Sequence, residues 1–293
     1  MKTPHLHTFS IVACDPSVPA WGVAVASKFL AAGAVVSWAR VGAGAVATQA
    51  HANVPFGVQG LDLMAGGLSA DDALSRLIAG DEGRAHRQVG LVDAQGRAAA
   101  YTGEACMAWA GHRVGQGYAC QGNILTGPET LDAMADAFEH TPGALEQRLV
   151  AALDAGDRIG GDRRGKQSAG LLVVKPGGGY GGDNDRYLDL RVDDDPNPVG
   201  RLAELLALHA LYFGESDPAA LLPIDAALAA ELQTLLVQRG FLDGPVSGAW
   251  DASSVEAFWR FVSIENLEER WSPDAPDVLD PVVLAFIRER FPG

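Results

Sequence analysis

Two side chains near the start of the chain mark a plausible place for chemistry. Thr8 places a hydroxyl at the head of the run Thr8-Phe-Ser-Ile-Val-Ala, and Lys28 places a lone base at the tail of Gly22-Val-Ala-Val-Ala-Ser-Lys. A hydroxyl becomes a nucleophile when a neighbouring base takes its proton. An ammonium group lowers the pKa of a nearby amine or holds a carboxylate. Farther on, Gln121-Gly-Asn123 sets two amides where a strand should give way to a helix, and Asn123 could donate to a developing oxyanion. The stretch Asp162-Arg-Arg-Gly-Lys-Gln-Ser168 combines acid, bases and hydroxyl, and Arg163 and Arg164 suit an acidic substrate group. Arg40, Thr48 and Gln49 are polar exceptions in an apolar block and are expected to line the opening of a sheet. Each of these has a plainer reading: Thr8 begins a strand, Lys28 is solvated at a strand end, Asn123 satisfies a turn, and 162–168 is a charged surface loop.

The elements that must hold these groups follow from pattern. Residues 8–53 contain four short runs of small and β-branched residues, separated by turn formers at Asp15-Pro16, Gly33 and Gly42, and read as four strands. Their near-continuous apolar character predicts cover on both faces. Pro55 opens a helix that Gly66-Gly67 ends. Ser69 caps a second, with Asp71 and Asp72 in its first turn. A hairpin turns at 93–96, and strands are expected over 107–114 and 117–125. Helices follow over 130–140 and 145–153, then a Gly-rich loop over 156–167, strands over 168–175 and 184–192, and a long helix over 199–213. Strands and helices alternate in groups, not singly, which predicts an α+β fold of antiparallel sheets with helices on their faces. Residues 215–223 read as a linker, and 224–293 as a small all-helical domain.

Composition narrows the functional classes. A net charge of -15 and a pI near 4.7 exclude a phosphate-binding face of the nucleic-acid type. No run approaches a membrane span, and residues 1–7 are too short and polar for a secretory signal. Cys14, Cys106 and Cys120 show no paired spacing and read as reduced thiols. A cytoplasmic location is the expectation. The histidines have no ligand spacing and the acid triplet 193–195 reads as a loop, so no metal is expected. Neither a dinucleotide fingerprint nor a Walker lysine is present, and no cofactor is expected.

The first part of the chain resembles a bacterial family known as domain of unknown function 1028, which is assigned to the N-terminal-nucleophile (Ntn) hydrolases. The resemblance runs from Thr8 to about Leu208. It is carried by Thr8-Phe-Ser-Ile-Val-Ala, Gly22-Val-Ala-Val-Ala-Ser-Lys-Phe29, Gly44-Ala-Val-Ala-Thr-Gln-Ala50, Gln121-Gly-Asn-Ile-Leu125, 160–168 and 184–192. It implies an αββα four-layer sandwich and an amide hydrolase in which one residue supplies both nucleophile and base. By the resemblance that residue is Thr8, whose own amine, with an ordinary pKa of about 8, would take the hydroxyl proton. Thr8 is internal, so a free amine requires cleavage after His7. Asp162 and Ser168 resemble the acid and hydroxyl that orient the terminal amine in proteasome-type sites. Ala26 stands where proteasome-like relatives carry an acid, two residues before Lys28.

Residues 224–293 resemble a peptidoglycan-binding helical module through Leu232-Gln233, Leu235-Leu236, the loop 240–248 and the apolar positions Val255, Phe258 and Phe261. The expected partners are a small-molecule or peptide amide substrate, with a muropeptide and a homo-oligomer left open. The expected domains are 1–214 and 224–293. The alternative to a hydrolase is a non-catalytic binding or assembly protein that never exposes Thr8.

Overall fold

The computed structural model describes residues 8–292. Along the chain run β1 (Thr8–Asp15), β2 (Ala20–Ser27), α1 (Gly33–Val36), β3 (Ser37–Arg40), β4 (Gly44–Ala50), α2 (Pro55–Ala65) and α3 (Ala70–Ala79). Next come β5 (Arg87–Asp93), β6 (Ala98–Thr102), β7 (Gly111–Gly115), β8 (Tyr118–Gly122), α4 (Glu129–His140), α5 (Leu145–Ile159), β9 (Ser168–Val174) and β10 (Arg186–Val192). The chain ends through α6 (Pro198–Phe213), β11 (Leu222–Pro223), α7 (Ala226–Gln238), α8 (Ala252–Ile264), β12 (Val278–Leu279) and α9 (Pro281–Arg290).

The first unit, Met1–Glu204, holds two antiparallel sheets. One has six strands in the order β10-β9-β2-β1-β8-β7, and the other four in the order β3-β4-β5-β6. Side chains alternate across each strand. On β1, Val12 and Cys14 face the second sheet and pack with Val23 and Val25 of β2 and with Ala45, Ala47 and Val92 across the gap. Phe9 points the other way, close to Gly156 of α5. On β4, Val46 packs outward with Phe56, Leu61 and Met64 of α2 and Leu74 and Leu77 of α3. Strands β1, β2 and β4 are thus buried along nearly their whole length, which is why their sequences read as continuous apolar runs.

Local signals act where expected. Ser69 accepts from the Asp72 N–H as the cap of α3, and Pro55 stands in the first turn of α2. Several boundaries differ from the expectations. The third apolar run is half helix, because α1 carries the chain from the six-stranded sheet to β3 of the other. Helix α5 runs on to Ile159 and stops only at Gly160, whose φ of 130° suits glycine. Residues 107–110 and 123–125 lie outside the ladders. Ile124 N–H donates to Met107 O and Leu125 N–H to Trp109 O, and Ile124 has a φ of 50°.

The second unit, Leu205–Gly293, begins inside α6. Its core is Leu232, Leu236, Phe258, Phe261, Trp271 and Leu284, with Leu208, Leu211 and Tyr212 from the end of α6 packed against it. The stretch read as a linker closes in β11, which pairs Leu222 with Leu279 of β12. Arg270 donates to Leu211 O and Glu215 O and pairs at 2.9 Å with buried Asp280, whose side chain also caps α9. The helical C-terminal region therefore includes more of the chain than 224–293.

Candidate functional site

One end of the six-stranded sheet carries a row of hydroxyls. Thr8 pairs with Ser27 across β1 and β2, and Ser27 pairs with Ser168 across β2 and β9. The alternation of each strand sends all three side chains toward the gap between sheets. Thr8 Oγ1 donates to Ser27 Oγ at 3.2 Å. Thr8, Ser27 and Ser168 are buried, Thr8 with 0% of its surface exposed.

Behind this row lies a buried layer of amides joining the two sheets. Gln49 Nε2 donates to Thr8 O at 3.2 Å, to Gln88 Oε1 at 2.9 Å and to Gln121 O at 3.2 Å. Its Oε1 accepts from Ser10 Oγ at 2.6 Å, and Ser10 Oγ accepts from Gln121 Nε2 at 2.6 Å. Asn123 donates through its backbone N–H to Thr8 O at 3.0 Å and through Nδ2 to Gln88 Oε1 at 2.9 Å. Gln88 passes the chain outward, donating to Thr102 Oγ1 at 3.0 Å, which lies 3.0 Å from His112 Nδ1. Gly90 leaves room for this layer, since a Cβ there would stand 2.0 Å from Gln121 Oε1. The layer is satisfied at these contacts but not throughout, since Gln121 Oε1 is buried without a hydrogen-bond partner among the described residues.

Lys28 and Asp162 meet at the rim. Asp162 is buried and accepts from the Lys28 backbone N–H at 2.9 Å, while the Arg164 guanidinium pairs with it at 2.6 Å. The Lys28 ammonium is exposed and donates to Lys166 O at 3.2 Å. Ser168 Oγ donates to Phe29 O at 2.6 Å and accepts from Ala32 N–H at 3.0 Å. Asp162 and Ser168 thus hold the 28–32 turn beside Thr8. Arg163 is exposed next to them.

Sequence reasoning brought together Thr8, Gln49, Gln121, Asn123, Asp162 and Ser168, and these do share one end of the unit. Two expectations are corrected. Thr48 is adjacent to Gln49 and therefore points to the opposite face, where its hydroxyl donates to Asn53 O at 3.2 Å. Arg40 pairs with Gly44 at the far end of β4 and forms an exposed ion pair with Asp62 at 2.8 Å. Neither lines the opening beside Thr8. Ser10, Ser27 and Gln88 were not singled out. Ser27 and Gln88 were legible as polar residues interrupting buried strands, and pairing register alone shows what they meet.

Burial pushes the thiols up, Cys14 to about 11 and Cys120 further, so they are protonated and poor nucleophiles near neutrality. Burial, with Arg113 beside it, lowers the His112 pKa below the usual histidine value. Among the described residues no cluster of His, Cys, Asp and Glu could hold a metal ion, and no helix is long and apolar enough to cross a membrane.

Comparison with known proteins adds family membership. No curated protein matches the chain significantly. Residues 212–287 match a model for a peptidoglycan-binding-like domain. The chain is similar to the crystal structure of protein SPO2555 from Silicibacter pomeroyi, described as a DUF1028 protein, with 33% identity, a TM-score of 0.64, and coverage of 71% of this chain and 91% of that one. Residues 8–202, the stretch that holds the hydroxyl row and its amide layer, match the model described as a family of unknown function, DUF1028, and by the extent of that match the chain belongs to the DUF1028 family.

Proposed function

We propose that the first unit is an N-terminal-nucleophile amidohydrolase, a four-layer αββα sandwich that hydrolyses an amide bond of a small or peptide substrate through Thr8. The observation that carries this reading is the position of Thr8: first residue of a central strand, hydroxyl beside Ser27, carbonyl held by Gln49 and Asn123. Cleavage after His7 gives Thr8 a free amine. The Oγ1 oxygen attacks the substrate carbonyl carbon while its proton passes to that amine. Collapse of the tetrahedral adduct breaks the C–N bond, and the leaving amine takes the proton. Water then attacks the Thr8 ester, its proton returning through the same amine, and the carboxylic acid leaves. Asn123 is the proposed oxyanion donor. Lys28, Arg163 and Arg164 form the rim that meets the substrate, and Gln121 with Gln49 supports the floor.

The complete burial of Thr8 in the uncleaved chain favours a second reading, a non-catalytic binding protein built on the same sheets. The peptidoglycan-binding-like unit supports a cell-wall peptide as ligand for either reading. Intact mass of the purified protein separates the two. A chain beginning at Thr8 that hydrolyses acyl-amino-acid or dipeptide amides supports the hydrolase. A chain that keeps residues 1–7 and turns over none of them supports the binding protein.

A further inference from the structure

Away from the hydroxyl row, a cleft of about 210 Å³ opens between β3 of one sheet and β9 and β10 of the other. Leu172 and Val174 form part of its wall, four and six positions along β9 from Ser168, which is roughly 14–20 Å at the strand rise. It is separate from the Thr8 end.

Its polar lining is built by an irregularity in β10. The register shifts between Arg186 and Leu188, so Arg186, Asp189 and Arg191 pair with Val174, Leu172 and Gly170. Those three partners alternate along β9, and the shift therefore brings all three charged side chains to one face. A bulge used to re-aim a side chain is a recurrent device beside binding sites. Both guanidinium groups share one carboxylate: Arg191 Nε lies 3.1 Å from Asp189 Oδ1, and Arg186 Nη1 lies 3.4 Å from Asp189 Oδ2. The cleft lining therefore carries one excess positive charge on a protein whose net charge is -15. Arg191 meets Asp189 through Nε, which leaves its Nη edge directed elsewhere.

On the opposite wall stands Ser37 of β3. Its Oγ is buried and has no hydrogen-bond partner among the described residues. Buried hydroxyls are nearly always satisfied, so one facing a cleft with two guanidinium groups asks for an acceptor from outside. Trp21, the cross-strand neighbour of Val174, likewise has a buried indole N–H without a partner.

We propose that this cleft binds a small oxyanion, a carboxylate or a phosphate, held by Arg191 and Arg186 and accepting a hydrogen bond from Ser37 Oγ. Two oxygens on one centre match the guanidinium fork, and the volume of about 210 Å³ is ample for a group of this size. The proposal stands on the cleft alone and does not depend on hydrolysis at Thr8.

Isothermal titration of the full chain with inorganic phosphate, and separately with acetate, tests it. Saturable binding of either anion with a dissociation constant of about 1 mM or tighter is expected. Phosphate binding tighter than acetate assigns a phosphate ligand, and the reverse assigns a carboxylate. Arg191→Gln should weaken binding about tenfold or more by removing a charge-assisted contact. Ser37→Ala should weaken it several-fold, a change that diffuse surface attraction would not produce. Arg201→Gln, which removes an exposed cation elsewhere, should leave it unchanged. Absence of saturable binding of both anions, or equal affinity in wild type, Arg191→Gln and Ser37→Ala, overturns the proposal.

Discussion

Gln49 of β4 reaches across the gap between the sheets and donates to the carbonyl oxygen of Thr8 on β1 at 3.2 Å. The same amide nitrogen meets Gln88, and the same side chain accepts from Ser10. One residue on the second sheet thereby fixes the backbone of the proposed nucleophile on the first. The proposed chemistry at Thr8 and the packing of the sheets would consequently be coupled, and substitutions separate the two.

Thr8→Ala should abolish both removal of residues 1–7 and amide hydrolysis, while Thr8→Ser retains both. The hydroxyl is buried and bonded to Ser27, so its loss should also cost about 1 kcal/mol of stability. Intact mass, turnover of a dipeptide amide and urea unfolding read the three quantities. Full hydrolysis by Thr8→Ala would remove Thr8 from the mechanism.

Gln88→Leu should be more damaging to the fold than Thr8→Ala. Its Oε1 serves Gln49 and Asn123, and its Nε2 serves Thr102, Gly111 O and Gly122 O. Replacing it leaves several buried groups without partners, at about 1–3 kcal/mol for each that water cannot reach. A midpoint in urea equal to that of the wild type would show that the amide layer adds nothing to stability.

His112 gives stability a pH dependence of defined sign. Burial first, and Arg113 second, hold its pKa below the ordinary value. The unfolded chain therefore binds the proton more readily than the folded one. The contribution is fully present above the ordinary histidine pKa of about 6.5 and is lost as pH falls from there through the folded value. His140 has a raised pKa and acts in the opposite direction from an exposed position. Comparison of wild type with His112→Asn isolates the first effect. The wild type should lose more stability than the variant between neutral and mildly acidic pH, and parallel curves would refute the assignment.

A fragment of residues 205–293 should fold, whereas 224–293 should not. The shorter piece lacks Leu208, Leu211, Tyr212 and Leu222, all packed on the core of the second unit. It also lacks β11 and the carbonyls that Arg270 holds. Far-ultraviolet circular dichroism and a cooperative thermal transition decide this. The longer fragment is then the right bait for immobilised muropeptides, and retention no greater than that of an unrelated helical domain would count against a cell-wall ligand.

The order of strands and helices was legible because burial on one or both faces leaves a periodic trace, as in the runs beginning at Thr8 and Ala20 and the capped helix after Ser69. The turn into β3 was not, since four residues of α1 have no periodicity to read. At the site, Thr8, Gln49, Gln121 and Asn123 were visible as polar residues in apolar company. What sequence could not supply was pairing. Ser10 meets Gln121, 111 positions away, only through the β1–β8 register. Period-two alternation alone would have separated Thr48 from Gln49. The extent of the second unit was obscured by proline-rich character at 215–223, which concealed the short β11.

β1 sits inside its sheet with β2 on one side and β8 on the other. Its first residue already lies opposite Ser27, and Phe9 lies between Ala26 and Gly122. Chain termini commonly fray because nothing flanks them. A terminus created by a cut before Thr8 would instead emerge clamped on both edges. The newly freed amine would inherit the order of the sheet, and hydrogen exchange at Phe9 and Ser10 should be as slow after the cut as before it.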